Sequence, residues 1–388
     1  MIYLDWAATA IPDRTVINEA MERWLEAYAN PSSEHAAGVK AGKLLAESRQ
    51  IWADLLKCSP ENIIFTSGGT ESNNLILQQL LCSKKAPHAV MTGIEHSSVY
   101  EPFMRYKEFG VTVTSVNPDR TGITEPEAIA SAVTKDTKLV SVIAVHNETG
   151  AVQPVKEIVR LVRDREKQVK HKIHIHVDAV QAFGKVPMGI SEIGADSVVL
   201  SSHKISGPRG AGILYLKNRP NLLTAGGEQE FRIRPGTENI FSIYGSALAA
   251  EKSLDDFDRR YRHACDLMQL CIEKIVGGNR PEEISLFYDR VSADYSPYIN
   301  TIFIPPLPGE AAVRALSEAG LSLGTGSACS SNTEKRSRGL KAIGLDKRLC
   351  ESAVRISTGH STTRDDIETF CRTLKQKIYP LANALKKI

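Results

Sequence analysis

Apolar residues recur along this chain in two rhythms. Over residues 15–29, Val16, Ile17, Met21, Trp24 and Leu25 fall at helical spacing, and over 39–57 Leu44, Leu45, Ile51, Leu55 and Leu56 do the same, so two helices with one buried side each are predicted. Asn30-Pro31-Ser32-Ser33 between them is a turn by composition. After Pro60 the rhythm shortens. Apolar runs at 63–66, 89–91, 111–116, 139–145, 173–177, 198–200 and 213–216 read as strands, and helix-length stretches at 71–82, 97–109, 126–133 and 154–169 separate the first five. Strand and helix in alternation predict an α/β fold whose mostly parallel sheet is covered on both faces. Ligands bind such sheets beyond the carboxyl ends of the strands, which directs attention to the residues just after each run. A long helical pattern follows at 241–276, then a strand at 300–304, a break at PPLPG, a helix at 310–319, a strand at 353–357 and a last helix at 363–378.

Composition narrows the picture. With 388 residues the chain suits two domains, one large and one smaller. Charged residues make up 24% and hydrophobic residues 42%, as in an ordinary globular protein. The formal net charge is only +3 and no basic stripe carries interleaved aromatics, so nucleic acid is excluded as the main partner. No apolar run approaches a membrane span, and the opening MIYLDWAATA has an acid and no basic cluster, so a cytoplasmic protein is expected. The seven cysteines (58, 82, 265, 271, 329, 350 and 371) are scattered without a C-x-x-C pair, which argues against a zinc cage or a disulfide framework.

Five places at the predicted strand ends carry candidate chemistry. In ADSVVLSSHKISGPRGAG an apolar run ends in Ser201, Ser202, His203 and Lys204, followed by a glycine-rich loop. Such a loop lets a lysine face a cavity, where desolvation favours the neutral amine that forms a Schiff base with an aldehyde; the plain alternative is a solvated turn lysine. In FTSGGTESNN a strand turns through Gly68 and Gly69 straight into a helix, leaving backbone N–H groups open to an anion such as phosphate, or simply making a tight turn. His96, in Glu95-His96-Ser97-Ser98, begins a helix either as a cap or as a catalyst. His174, His176 and Asp178 alternate onto one side of a strand, which fits a metal site; equally, Asp178 alone faces the cleft and holds a proton on a heteroaromatic nitrogen. Cys329, bracketed by glycine, alanine and serines near Lys335, Arg336 and Arg338, is a candidate nucleophile or an incidental cysteine. Separately, Arg355 lies inside an apolar strand and needs a carboxylate partner, for which a substrate is one candidate.

As an ordered set these residues resemble the pyridoxal-phosphate cysteine desulfurases of the class V aminotransferase family, and the resemblance runs nearly end to end. It is carried by Tyr3-Leu4-Asp5 with Ala7-Ala8-Thr9, Asn30-Pro31-Ser32-Ser33 with His35, FTSGGTESNN, Glu95-His96, Asn147-Glu148 with Gly150, VDAVQ, SSHK with GPRGAG, Arg234-Pro235-Gly236-Thr237, GSACSS and Arg355. The spacing from Cys329 to Leu340-Lys341-Ala342-Ile343-Gly344 resembles the long cysteine loop of the group I enzymes that serve iron–sulfur assembly. The resemblance implies a type I fold for pyridoxal 5'-phosphate (PLP). Residues 15–255 would form the large PLP-binding domain, and residues 1–14 with 256–388 a small domain carrying a mobile cysteine loop at about 324–338. It further implies a homodimer with each site at the subunit interface, L-cysteine as substrate, and a sulfur-acceptor protein such as an iron–sulfur scaffold. By the same resemblance Lys204 would hold the cofactor and shuttle protons, Asp178 would keep its ring nitrogen protonated, and His96 would stack on the ring. Asn147 and Gln181 would bond near the phenolic oxygen. Gly69, Thr70, Ser201 and His203 would take the phosphate with Thr237 from the other subunit, Arg355 with Asn147 would clamp the substrate carboxylate, and Cys329 would attack the substrate sulfur. No metal is called for.

The chain departs from the family pattern at Trp6 and His146, where asparagines are usual, at Ala10 in place of a threonine, and in the basic loop tail NTEKRSRG. Three rivals follow from the same residues: a selenocysteine lyase or other enzyme of the same family, a metal-dependent hydrolase built on His174, His176 and Asp178, and a sulfur-trafficking scaffold without turnover.

Overall fold

In the computed structural model, which describes residues 1–83, 85–277, 280–325 and 338–386, the apolar runs pair as their alternation predicts. Along the chain the strands are β1 (Ile2–Tyr3), β2 (Ile63–Thr66), β3 (His88–Thr92), β4 (Thr112–Val116), β5 (Thr137–Ile143), β6 (His174–Asp178), β7 (Ser197–Ser201), β8 (Gly212–Leu216), β9 (Ser285–Leu286), β10 (Ile299–Phe303), β11 (Leu321–Ser322) and β12 (Ala353–Ser357). The main sheet runs β2-β8-β7-β6-β5-β3-β4. Strands β4, β3, β5, β6 and β7 are parallel, and β8 is antiparallel to both β7 and β2. Two reversals restore direction, so β2 also ends on the side where β3, β5, β6 and β7 end. That shared edge gathers the Gly68 turn, His96, Asp178 and Lys204. The inner strands are largely buried, with Lys138 of β5 an exposed exception, while β4 at the sheet's edge runs Thr, Val, Thr, Ser, Val and keeps several exposed positions.

Apolar residues from Val16 to Ala250 and from Ile64 to Ile233 fill the two faces of this sheet. A separate core gathers Leu4 with residues between Leu267 and Ala382, around the antiparallel trio β12-β10-β9 and the pair β1-β11. The first residues of the chain therefore fold with its last third. A bridge from Asp5 to Ser357 extends that contact, and it delivers Ala7 and Ala8 towards the carboxyl edge of the main sheet.

Two predicted helices differ. The pattern over 241–276 is two helices, Ile240–Asp255 and Phe257–Val276, parted at Asp256, whose carboxylate pairs with Arg259 and Arg260. Each half serves a different core: Ile243, Ala247 and Ala250 bury in the first, Leu267, Cys271 and Ile275 in the second. The last helix, Arg364–Thr373, widens over Leu374–Ile378 and continues as Tyr379–Leu385, beyond where the apolar period was followed.

One buried ion pair braces the sheet edge. Arg49 Nη2 lies 2.6 Å from Glu230 Oε1 and Arg49 Nη1 lies 2.8 Å from Oε2, while Glu230 Oε2 also accepts the Phe65 N–H at 2.7 Å. The guanidinium is sandwiched between the rings of Phe65 (4.8 Å) and Phe231 (5.0 Å). Glu230, Phe231 and Arg232 all take left-handed backbone angles, with φ of 48°, 56° and 66°. Such positions cost roughly 1–3 kcal/mol each and persist only where neighbours over-determine them; here the Arg49 clamp does so. Glu230→Ala, which strands a buried cation, is expected to lower the unfolding free energy by about 3–5 kcal/mol in urea titrations. An Arg49→Met/Glu230→Leu double variant should lose less, and equal losses in the two would show that the charge is not the reason.

Candidate active site

Strand β7 ends at Ser201 and the chain turns through Ser202–Lys204 into the glycine-rich return to β8. The return has no room for side chains at two points: a Cβ on Gly207 would meet Ser202 Oγ at 2.3 Å, and one on Gly212 would meet the Gly68 backbone carbon at 2.5 Å. Lys204 is accordingly not a solvated turn lysine. Its Nζ donates to the carbonyls of Ala7 (2.6 Å) and Ala8 (2.8 Å), brought in from the other core. Gln181 Nε2 donates to the same Ala7 carbonyl at 2.9 Å, and its Oε1 accepts from Lys185 Nζ, also at 2.9 Å. Because the Ala7 carbonyl can only accept, the Gln181 amide has one orientation.

At the end of β6, Asp178 is buried and accepts from Asn73 Nδ2 (2.9 Å) and from the Val180 N–H (3.1 Å). His96 caps the helix Ser97–Tyr106: its Nδ1 accepts the Ser98 N–H at 3.2 Å and lies 2.8 Å from Ser98 Oγ. Burial lowers the pKa of His96 against the opposing pull of the Asp178 charge, so the ring is held towards neutrality. His174 and His176 do not form a metal site with Asp178. Their ring nitrogens are taken by Ser197 Oγ, at 2.8 Å from each, and by Asn73 Oδ1, at 2.9 Å from His176. Among the described residues no group of three or more His, Cys, Asp or Glu is gathered for a metal.

The helix Gly69–Leu77 opens directly after Gly68, with Thr70 exposed at its first turn. Ser201 faces this N-terminus: a Cβ on Gly69 would lie 3.9 Å from Ser201 Cβ, and Ser201 Oγ is buried with no hydrogen-bond partner among the described residues. An orphaned hydroxyl beside unpaired helix N–H groups is what an oxyanion such as phosphate satisfies. His203, from the same turn, bonds Thr9 Oγ1 through Nδ1 at 2.9 Å. Lys204, Asp178, Ser201 and the helix N-terminus thus supply an amine, a carboxylate and an anion cradle along one edge, the donor set that PLP requires.

Arg355, in β12, finds its carboxylate within the chain: Nη2 lies 2.7 Å from Asp5 Oδ1, and Nη1 donates to the Asn147 carbonyl at 2.9 Å. Gly324 crosses closely here, for a Cβ would lie 2.8 Å from Asp5 Oδ1. Thr237 is exposed, in a groove lined by Met21, Trp24, Tyr28 and Phe241, apart from the buried residues above. Cys329, with most of the predicted loop including Lys335 and Arg336, lies outside the described residues. Arg338 is described: it donates to the carbonyls of Gly93 (2.8 Å) and Glu95 and sits over the Tyr100 ring.

The departures are accommodated locally. The Trp6 indole occupies the space over Gly359, where a Cβ would lie 2.1 Å from the ring, and Trp6 packs edge-on against His360. His146 bonds Thr149 Oγ1 at 2.9 Å and lies against Gly339. Sequence reasoning assigned no role to Asn73, Ser98, Lys185 or Glu95. Asn73, Ser98 and Glu95 stand in quoted motifs, but side-chain partners far along the chain are invisible to spacing.

Comparison with known proteins completes the description. The class V aminotransferase family model matches residues 2–370. The chain is 33% identical over 385 residues to the cysteine desulfurase IscS of Dictyoglomus turgidum, covering 98% of this chain and 95% of that protein. It is 35% identical over 379 residues to a NifS/IcsS protein homologue of Lactobacillus delbrueckii subsp. bulgaricus, covering 95% of each. A solved NifS-like protein superposes with a TM-score of 0.87 at 30% identity, over 97% of this chain and 99% of that one.

Burial gives the edge a distinctive pH response. Burial pushes His146, His176 and His203 down to about 3, with nearby Arg and Lys charges adding to it at His146 and His203, whereas burial and the Asp178 charge push Glu95 up to about 8. The signs oppose. Below pH about 6.5 an unfolded chain binds protons at these histidines that the folded one does not, so stability falls with acid. Between about 4.5 and 8 the folded protein holds a proton on Glu95 that the unfolded chain has lost, so that contribution is lost as pH rises. Glu95→Gln should gain on the wild type in urea midpoint between pH 5 and pH 8; a constant difference across that range would contradict a neutral Glu95.

Proposed function

The chain belongs to the class V aminotransferase family, and from that premise we propose that it is a PLP-dependent cysteine desulfurase, taking sulfur from L-cysteine and leaving L-alanine. The observation that supports this most is the single carboxyl edge that gathers Lys204, Asp178, His96 and the Gly68 turn with the Ser201 hydroxyl, which has no hydrogen-bond partner among the described residues. When bound, PLP supplies an electron sink for the substrate carbon bearing the amine.

The chain's own groups divide the remaining work. Lys204 would hold the cofactor aldehyde and move protons at the substrate carbon. Asp178 would keep a proton on the ring nitrogen by a charge-assisted bond. His96 would pack on the ring, and Gln181 and Asn147 would bond its phenolic oxygen. Gly69, Thr70, Ser201 and His203 would hold the phosphate. Arg355, placed by Asp5 and the Asn147 carbonyl, would orient the substrate carboxylate with a planar guanidinium fork. The Cys329 thiolate attacks the substrate sulfur: an S–S bond forms, the C–S bond breaks, and its electron pair stays on the carbon, which takes a proton to become the methyl of alanine. The persulfide on Cys329 is then available to an acceptor, which for a chain similar to the IscS and NifS proteins is a scaffold for iron–sulfur assembly.

In the same reading the protein is a cytoplasmic homodimer; no helix among the described residues is long and apolar enough to cross a membrane. Met21, Leu25 and Tyr28 expose apolar surface on the side where Thr237 lies, the kind of patch that a second copy covers while Thr237 reaches the partner's phosphate. Residues 15–255 constitute the cofactor-binding domain, and residues 1–14 with 256–388 the smaller one.

Two variants test the assignment. Purified protein is expected to be yellow, and Lys204→Ala should lose that visible band or hold it only as freely dialysed cofactor; an unchanged, retained band would reject the anchor. Cys329→Ala should retain the colour but lose sulfide and alanine production from cysteine by about a hundredfold or more. Unchanged turnover without added thiol would reject the nucleophile.

A further inference from the structure

Asn73 has no exposed surface, yet it is the meeting point of two groups assigned to the cofactor. Its Nδ2 donates to Asp178 Oδ2 at 2.9 Å and to Ser98 Oγ at 2.8 Å, the two hydrogens of one amide. Its Oδ1 lies 2.9 Å from His176 Nε2. A flipped amide would set an acceptor against the Asp178 carboxylate, so the orientation follows from charge. The consequence spreads in both directions. His176 Nε2 faces an acceptor and carries the proton; being neutral, the ring has a bare Nδ1, which takes the Ser197 hydroxyl hydrogen at 2.8 Å, and Ser197 Oγ in turn accepts from His174 Nε2 at 2.8 Å. On the other side Ser98 Oγ, having accepted from Asn73, directs its own hydrogen to His96 Nδ1, which also accepts the Ser98 N–H. His96 therefore carries its ring proton on Nε2.

From this geometry we propose that Asn73 is a positioning residue for the cofactor. It holds the Asp178 carboxylate as an acceptor and the His96 ring in one tautomer at the same time, and its own orientation is locked by the His174–Ser197–His176 relay across β6 and β7. The proposal rests on the reading of this edge as a PLP site. The relay also explains why two histidines on the face of Asp178 are not ligands: they are the second layer of that carboxylate's support. The other ionisable groups facing Asp178 are Glu95, from the turn after β3, and His96, which in turn faces Lys204. None of them bonds either Asp178 oxygen, so Asn73 and the Val180 N–H carry that task.

The test uses holoenzyme and two variants, Asn73→Leu and His176→Leu. A carboxylate that loses a donor competes better for the ring-nitrogen proton, which makes the ring a poorer electron sink and raises the pH at which the bound cofactor's visible band changes. A shift of about one pH unit upward is expected for Asn73→Leu, with about tenfold weaker cofactor retention on dilution, since a bond to a charged group is involved. His176→Leu should shift the band in the same direction by less, and the double variant should add little to Asn73→Leu alone, as members of one relay do. Should Asn73→Leu not fold, the His176→Leu shift decides alone. A band titration and retention indistinguishable from wild type in the folded variants, or fully additive effects, would overturn the proposal while leaving the cofactor assignment standing. A wild-type protein that takes up no PLP would overturn both. Selective imidazole ¹⁵N spectra give a readout independent of colour: protonated Nε2 on His96 and His176 is expected, and protonated Nδ1 on either would contradict the relay.

Discussion

The bond between the Lys204 ammonium and the carbonyls of Ala7 and Ala8 is the constraint on which the site depends. It joins a turn at the end of β7 to a segment whose neighbour Leu4 is buried in the other core. The amine can sit at the carboxyl edge of the sheet only if both cores are formed and the chain's first residues lie between them. Gln181 shares the Ala7 carbonyl, Gly212 lets the return loop close against the Gly68 turn, and Gly359 makes room for the Trp6 indole. Of these, the Gln181 bond repeats the tie between the two units, while the two glycines shape the surfaces on either side of it.

Around that amine the polar groups are arranged by a common rule: buried histidines are neutral and their protons are assigned by hydrogen bonds, while Asp178 receives donors on both oxygens. The edge therefore combines few free charges with many oriented dipoles, a preorganised setting for a charged cofactor. The Arg49–Glu230 clamp does comparable work further out, fixing the backbone of β2 from which the anion cradle springs.

Much of this was legible from residue order. Lys204 stood out because an apolar run stopped at hydroxyls and glycines, and Asp178 because it closed a strand; both ended where α/β sheets bind ligands. The strands were legible because buried β segments are nearly continuous in valine, isoleucine and leucine. What spacing could not supply was partnership. The alternation of His174, His176 and Asp178 gave the correct face but equally fitted a metal, and only the side chains of Asn73 and Ser197, from other elements, decided against it. Arg355 needed a carboxylate and found it in Asp5, 350 positions away. The break at Asp256 was hidden because both flanking helices keep the same period while burying against different cores. Cys329 remains placed by its motif, outside the described residues.

The claim that Lys204 is the cofactor's anchor has a close competitor to exclude. Lys185 lies behind Gln181, and burial together with the charges of Lys204 and Arg355 pushes its amine down to about 7, so it too is chemically able to capture an aldehyde. Reduction of the coloured holoenzyme with borohydride, followed by peptide mapping by mass spectrometry, fixes the cofactor to whichever amine holds it. The account predicts the label on the peptide containing Lys204. A label on Lys185, or none on either, would contradict it.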